Sequence, residues 1–90
     1  MYFVYILGCL KTGRTYVGQT SDLLLRYRMH LAGTTRTSRE KLLAPVVLYF
    51  EVLATRTEAM KRERYFKSGS GHRVRGEIAQ KCFRLFACVG

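Results

Sequence analysis

Three stretches of the chain have the apolar pattern of β-strands. Residues 2–9 are apolar on both faces and rich in aromatic and β-branched side chains, which is typical of a central strand. A turn signal at residues 11–13 separates this stretch from residues 14–20, which are predicted to form the second strand of a hairpin. Gly18 in the second strand indicates a bulge or a close approach to the backbone. Residues 46–53, directly after a proline, are predicted to form a third strand.

The segment after the hairpin has the spacing of an amphipathic helix. Ser21 or Asp22 can cap its first turn, and we expect the helix to run to about Ala32, with Gly33 as its C-terminal stop. Its predicted buried stripe, at positions i, i+3 and i+7, consists of Leu24, Tyr27 and Leu31. This helix is therefore expected to pack on the sheet through these three side chains.

The second half of the chain is predicted to contain two more helices. Thr57 is expected to cap a helix from residue 58 to about residue 67, and the Gly- and Ser-rich residues 68–71 are expected to break it. A basic helix then covers about residues 72–83. The apolar residues 83–89 are expected either to pack back on the body of the protein or to fray.

The order of these elements is β-β-α-β-α-(α). A hairpin implies antiparallel strands, so the order predicts an α+β fold in which helices flank a small three-stranded antiparallel sheet. The chain length of 90 residues predicts one domain over residues 1–90.

The chain is strongly basic. Sixteen lysine and arginine residues against six acids give a net charge of +10, and eleven of the sixteen are arginines, which bind phosphate through planar pairs of donors. This charge favours a nucleic-acid partner, with solubility alone as the alternative. The N-terminal apolar run is too short to span a membrane and lacks the basic segment of a secretion signal. Cys9, Cys82 and Cys88 have no metal-ligand spacing, which fits buried thiols in a reducing cytoplasm.

One acidic side chain lies on a helix face that is predicted to pack on the sheet. Ala59, Met60 and Phe66 define this face, and Glu63 lies between them at 100° per residue. A buried carboxylate is costly unless it is paired or binds a cation. Glu63 is therefore a candidate metal ligand. The alternatives are a salt bridge to a nearby arginine and a position at the solvent edge of the stripe.

Arg26 and His30 share one face of the first helix, one turn apart. They could form a phosphate clamp with a proton carrier, or a surface ladder with Asp22. If the hairpin turn is centred on residues 12–13, paired residue numbers sum to 25, which places Tyr5 and Tyr16 on the same face of the sheet. The alternative for each tyrosine is ordinary packing.

Taken together, these positions resemble the GIY-YIG nuclease family, in particular its short stand-alone bacterial members related to the excinuclease subunit's N-terminal domain. The resemblance covers about residues 2–75 and rests on the ordered spacing of several short motifs. They are residues 3–5 (FVY) and 16–18 (YVG), residues 19–23 followed by Arg26 and His30, and the Glu63 helix at residues 57–69. Phe3 and Val4 replace the family's first-motif Gly and Ile.

The resemblance implies a metal-dependent DNA endonuclease, with a role in DNA repair or recombination. Glu63 would hold one divalent metal ion, Mg²⁺ or Mn²⁺, and Arg26 would contact the scissile phosphate. Tyr5 and Tyr16 would position or activate the attacking water, and His30 would assist proton transfer or contact phosphate. A phenol with an ordinary pKa of about 10 is a poor base at neutral pH, so a nearby metal ion or Arg26 would have to lower it.

Several basic residues are candidates for contacts to the nucleic-acid backbone. They are Arg36, Arg39, Lys41, Lys67, Arg73 and Arg75. A solvated loop is the alternative for residues 34–41. The expected partner is DNA, with RNA as an alternative, and a partner protein could supply specificity.

A catalytically weak or inactive nucleic-acid-binding module on the same fold is the alternative function. It is favoured by the lack of the family's Asn in residues 73–78 and by Ser70, where relatives often have an aromatic residue. A basic protein-interaction domain is a third reading.

Overall fold

The computed structural model describes residues 1–9, 12–32 and 45–89, with side chains described as far as Leu85. The described part contains three strands and three helices in the order β-β-α-β-α-α, which confirms the predicted α+β class. In chain order, the elements are β1 Tyr2–Gly8, β2 Thr15–Thr20, α1 Leu23–Leu31, β3 Val46–Leu53, α2 Arg56–Lys67 and α3 Gly69–Val89.

The sheet is antiparallel, with the strand order β2-β1-β3. In the hairpin, Tyr5 lies opposite Gly18 and Leu7 opposite Tyr16, so paired residue numbers sum to 23 rather than the predicted 25. The turn is the reason: the Cys9 N–H donates to the Arg14 carbonyl, and Gly13 adopts a φ of 74° within the turn. A shift of two residues keeps every side chain on its face, so Tyr5 and Tyr16 share a face as predicted.

Both faces of β1 are buried, as expected of a central strand. On one face, Val4 and Ile6 pack with Val17 of β2 and with Ala59 and Phe66 of α2. On the other face, Tyr5, Leu7 and Cys9 form a second cluster, against which Tyr16, Leu23, Tyr27 and Val47 pack. The sheet therefore separates α1 on one side from α2 and α3 on the other.

The predicted buried stripe of α1 is wrong at two of its three positions. Leu24 is 60% exposed and Leu31 is 52% exposed, whereas His30 is only 2% exposed. The helix packs through Leu23, the half-buried Tyr27 and His30, which are spaced i, i+4 and i+7. Leu24 and Leu31 lie about 100° around the helix from this face, and the polar side chain of His30 points to the sheet in their place.

The start of α2 and part of its predicted core face also differ from expectation. Thr55, not Thr57, is the N-cap, and its hydroxyl accepts a hydrogen bond of 3.2 Å from the Glu58 N–H. Either threonine could cap a helix from its place in the sequence, but in the structure only Thr55 has the extended backbone of an N-cap. Met60, predicted to be buried, is 44% exposed.

The chain changes direction at Ser68 alone, so the predicted break over residues 68–71 is too long. Helix α3 begins at Gly69 and includes the tail that was expected to fold back or fray. At Gly71, a Cβ atom would lie 2.6 Å from the Phe66 Cα atom, and it would also overlap the Tyr65 carbonyl. Gly71 therefore allows α3 to start directly against the end of α2, which explains why a Gly- and Ser-rich sequence continues as helix.

Candidate functional site

Tyr5, Tyr16 and His30 form an aromatic cluster between α1 and the sheet. The Tyr16 and His30 ring centroids are 5.0 Å apart, and Tyr5 lies 6.2 Å from Tyr16 and 6.1 Å from His30. The Tyr5 hydroxyl oxygen is 3.4 Å from His30 Nε2. The structure thus brings together one side chain from each of β1, β2 and α1.

Gly18 makes room for this cluster. It lies opposite Tyr5 in the sheet, and a Cβ atom on Gly18 would lie 2.6 Å from Tyr5 Cζ and 3.0 Å from Tyr16 Cε1. The Tyr5 ring therefore crosses β2 at the glycine, which carries its hydroxyl towards the outer edge of the sheet. The close approach predicted at Gly18 is confirmed.

Arg26 adjoins the cluster from the preceding turn of α1. Its Nε atom is buried and has no hydrogen-bond partner among the described residues. A buried unpaired donor on a cation is costly, and an anion bound beside it would satisfy it. The Asp22 carboxylate caps α1 through a 3.1 Å bond from the Leu25 N–H, and His30 is buried against the sheet rather than on the surface. The alternative of a surface ladder along Asp22, Arg26 and His30 is therefore wrong.

Burial sets the protonation of Tyr5 and His30. It raises the pKa of Tyr5 to about 12; a hydrogen bond with Arg26 and the positive charge of Arg26 oppose this rise, and electrostatic repulsion between the Tyr5 phenolate form and both Tyr16 and Glu63 adds to it. Burial also lowers the pKa of His30 below its ordinary value of 6.5, and the positive charge of Arg26 lowers it further. At neutral pH, Tyr5 is therefore a phenol and His30 is a neutral imidazole.

Glu63 approaches the same edge of the sheet from α2. Its side chain is 24% exposed and borders a cavity of about 270 Å³, which Gln19 of β2 also lines. Its carboxylate is close enough to Tyr5 to raise the pKa of the phenol. The Lys67 ammonium lies 2.8 Å from Glu63 Oε1, so Glu63 is ion-paired, with a lysine rather than the anticipated arginine.

The donor set around Glu63 suits one kind of metal site only. Among the described residues, no three His, Cys, Asp or Glu side chains group closely enough to hold a metal ion. Mg²⁺ often binds through one or two carboxylates, with water and substrate phosphate as its other ligands. A single accessible carboxylate fits such a substrate-shared site and does not fit an all-protein cage.

The candidate backbone contacts are distributed over several places. Arg36, Arg39 and Lys41 lie outside the described residues. Lys67 pairs with Glu63. On α3, Arg73 lies 3.8 Å from Glu77, and Arg75 contacts His72 at 2.6 Å.

Sequence reasoning missed one polar cluster on the α2 side of the sheet. Arg62 donates two hydrogen bonds of 2.8 Å to Glu51, whose carboxylate also accepts a 2.6 Å bond from the Tyr49 hydroxyl. The Arg62 guanidinium lies over the rings of Tyr65 and Phe66. The alternation of β3 carried the signal, because it places Glu51 on the same face as Tyr49. Both oxygens of the Glu51 carboxylate have protein partners, so this cluster joins α2 to β3.

Comparison with known proteins gives one family match and several relatives. The GIY-YIG catalytic domain matches residues 1–75. A UPF0213 protein of Listeria monocytogenes is 42% identical over 67 residues, which cover 73% of this chain and 72% of the relative. A UPF0213 protein of Bacillus pumilus is 39% identical over 72 residues, with 74% and 67% covered. One of Staphylococcus haemolyticus is 38% identical over 74 residues, with 77% and 83% covered.

No solved structure is significantly similar to this chain. Within the described residues, none of the helices combines the length and the apolar character needed to cross a membrane.

Proposed function

Because the chain belongs to the GIY-YIG family of nuclease-type domains, we propose that it is a metal-dependent endonuclease that hydrolyses phosphodiester bonds in DNA. One observation carries the proposal. The buried Nε atom of Arg26 has no partner among the described residues, while the same guanidinium forms a hydrogen bond with Tyr5, beside Tyr16 and His30. A phosphate diester is an anion that would satisfy this donor next to groups able to move a proton. A role in DNA repair or recombination is proposed from the family resemblance.

In the proposed reaction, a water molecule held by the Tyr5 and Tyr16 hydroxyls attacks the phosphorus atom. Its proton passes to the Tyr5 oxygen while the Tyr5 proton passes to Nε2 of neutral His30, 3.4 Å away. The bond from phosphorus to the 3′ oxygen breaks, and this oxygen takes a proton from solvent. Arg26 stabilises the negative charge that develops on the phosphoryl oxygens. This relay needs no free phenolate, which a pKa of about 12 makes rare at neutral pH.

Glu63 is the residue that would hold a divalent metal ion, Mg²⁺ or Mn²⁺. When bound, the ion would neutralise charge on the phosphate and stabilise the leaving oxygen. The protein's own contribution is one partly buried carboxylate at the edge of β2, near the hydroxyl of Tyr5. Lys67, which bonds Oε1 of this carboxylate, would compete with the ion for it.

A nucleic-acid-binding module without cleavage is the second candidate function. The 2.8 Å ion pair between Glu63 and Lys67 favours it, because Glu63 already has a cationic partner. Such a module would bind DNA or RNA in a salt-sensitive way and would show no dependence on a divalent metal ion.

The deciding experiment compares Glu63→Gln with Glu58→Gln in cleavage of branched, nicked and plain duplex DNA. Glu58 is an exposed acid in the first turn of the same helix, so its variant controls for the charge change. With Mg²⁺ or Mn²⁺, we expect the wild type and Glu58→Gln to cut, and Glu63→Gln to be about 100-fold slower. Equal rates for both variants would refute the metal assignment, and no cleavage by the wild type would favour the binding module.

A further inference from the structure

A groove of about 550 Å³ lies between the turn of the β1–β2 hairpin and helix α3, apart from the Tyr5 cluster. Its lining includes Gly13, Thr15, His72, Arg75, Gln80 and Phe83. Arg73 and Glu77, which form an ion pair, also border it, so the groove combines one further cation, a hydroxyl and an amide with an apolar aromatic surface. This combination suits a nucleotide, whose phosphate needs donors and whose base and sugar need less polar contacts.

Arg75 is the cation best placed to bind a phosphate in this groove. Its Nη2 atom lies 2.6 Å from His72 Nδ1. Because an arginine only donates, His72 must accept through Nδ1 and carry its proton on Nε2. The bond holds the guanidinium in place, and within the described part of the chain no carboxylate forms an ion pair with it. Arg75 is half-buried, positively charged and uncompensated.

Arg73 borders the same groove but differs from Arg75 in its exposure and in its ion pairing. Its side chain is 85% exposed, and its guanidinium lies 3.8 Å from the Glu77 carboxylate. The two arginines are two positions apart on one helix and carry the same charge. A general attraction to a polyanion would use them equally, whereas a built site would use Arg75.

The groove and the Glu63 cavity lie along the same face of β2. Thr15 lines the groove and Gln19 lines the cavity, and residues four apart in a strand point to the same side. At about 3.3 Å per residue, they are about 13 Å apart. A nucleic-acid strand advances about 3.4 Å per nucleotide in a duplex, so this separation corresponds to about four nucleotides.

We infer that the groove between the hairpin turn and α3 is a second phosphate-binding site, in which Arg75 holds the backbone of the substrate strand about four nucleotides from the bond that is cut. The distance to the cut rests on the proposed function. The phosphate site itself does not, because a binding module would use it in the same way.

The first test measures DNA affinity in a Glu63→Gln background, where cleavage does not interfere. Fluorescence anisotropy with a duplex oligonucleotide compares Arg75→Gln with Arg84→Gln, a control at an exposed arginine of α3 outside the groove lining, over a range of salt concentrations. We expect Arg75→Gln to weaken binding about tenfold and to reduce the slope of log Kd against log salt by about one. Arg84→Gln should weaken binding by no more than about twofold and leave the slope unchanged. Thermal unfolding checks that both variants fold.

The second test locates the ligand by titrating the full chain with a 5′-phosphorylated dinucleotide and following backbone amide resonances by NMR. We expect shifts at Gly13 and Thr15, and their loss in Arg75→Gln. Equal losses of affinity for the two arginine variants, or shifts confined to the Tyr5 cluster, would overturn the inference while leaving the cleavage proposal intact. A wild type that binds in the groove without cutting would support the inference and refute the cleavage proposal.

Discussion

The ring of Tyr5 crosses strand β2 over Gly18, the residue that lies opposite it in the sheet. Any side chain at Gly18 would occupy the space that the ring takes. Since the ring also contacts Tyr16 and His30, one glycine fixes where the hydroxyl of the candidate site lies. The backbone of the edge strand is thus part of the geometry of the candidate site.

Gly18→Ala should therefore damage the site more than the fold. The added Cβ would lie 2.6 Å from Tyr5 Cζ, so the ring has to move, at a cost of about 1–3 kcal/mol in unfolding free energy. The displaced hydroxyl should cost about 100-fold in cleavage rate. Urea unfolding and single-turnover cleavage measure the two effects. Gly69→Ala is the control, because its Cβ would meet no heavy atom within 4 Å. Wild-type cleavage by Gly18→Ala would show that the Tyr5 position is not critical.

The cleavage rate should be nearly independent of pH above neutrality. If a Tyr5 phenolate were the base, a pKa of about 12 would make the rate rise about tenfold per pH unit from pH 7 to 10. In the relay to His30, the rate instead falls only in acid, as His30 gains a proton below its ordinary pKa of 6.5. Single-turnover cleavage rates, measured from acid to pH 10 at constant ionic strength, distinguish the phenolate mechanism from the relay to His30.

His30→Gln serves as the control for this profile. It should cut more slowly and lose the decrease in acid, since the titrating group is gone. A wild-type rate that keeps rising to pH 10 would contradict the relay and point to phenolate or hydroxide as the reactant.

Arg26→Ala should lose far more rate than affinity. Its guanidinium would act mainly on charge that develops during the reaction, so we expect a decrease of about 100-fold in cleavage rate and less than about tenfold in DNA affinity. Arg28→Ala, an exposed arginine on the same helix, controls for the lost charge. Equal losses of rate and affinity in Arg26→Ala would reduce Arg26 to a binding residue.

Lys67 should weaken metal binding at Glu63. Its ammonium lies 2.8 Å from Oε1, where it competes with a cation for the carboxylate. We expect Lys67→Gln to bind Mn²⁺ about threefold to tenfold more tightly than the wild type, as followed by electron paramagnetic resonance without DNA. Lys61→Gln, exposed on the same helix, should bind like the wild type, and Glu63→Gln should not bind. Unchanged affinity in Lys67→Gln would show that the ion pair does not compete.

The apolar run of β1 and the turn signal after it allowed the hairpin to be predicted, and the two-residue period of a strand placed Tyr5 and Tyr16 on one face. The shared face was predicted correctly although the predicted register of the hairpin was wrong by two residues, because the faces of a strand repeat every two residues. A glycine within a predicted strand indicated a bulge or a close approach at Gly18, and the ring of Tyr5 makes this close approach.

The orientation of α1 could not be predicted in the same way. Leu24 and Leu31 have the spacing of a buried stripe, yet the helix turns His30 towards the sheet and leaves both leucines exposed. Apolar periodicity assumes that burial of apolar area decides the packing face. Here Tyr5 and Tyr16 offer polar and aromatic partners for His30, and this information lies in strands far away in sequence. The Lys67 partner of Glu63 was visible as an i, i+4 pair, but spacing alone does not show whether such a pair forms.

The Glu51–Arg62 pair should make the fold sensitive to acid. Hydrogen bonds from Arg62 lower the pKa of Glu51 below its ordinary value of 4.5, so the unfolded chain binds more protons than the folded chain in this range. The stabilisation is therefore present above about pH 4.5 and lost as the pH falls through the folded pKa of Glu51.

Glu51→Gln should lower the unfolding free energy by about 1 kcal/mol at pH 7, with the difference from wild type shrinking towards pH 3. Urea unfolding at several pH values measures this, and the exposed Glu58→Gln should show no such difference. A constant gap between wild type and Glu51→Gln from pH 7 to pH 3 would mean that the packing of Glu51, not its charge, stabilises the fold.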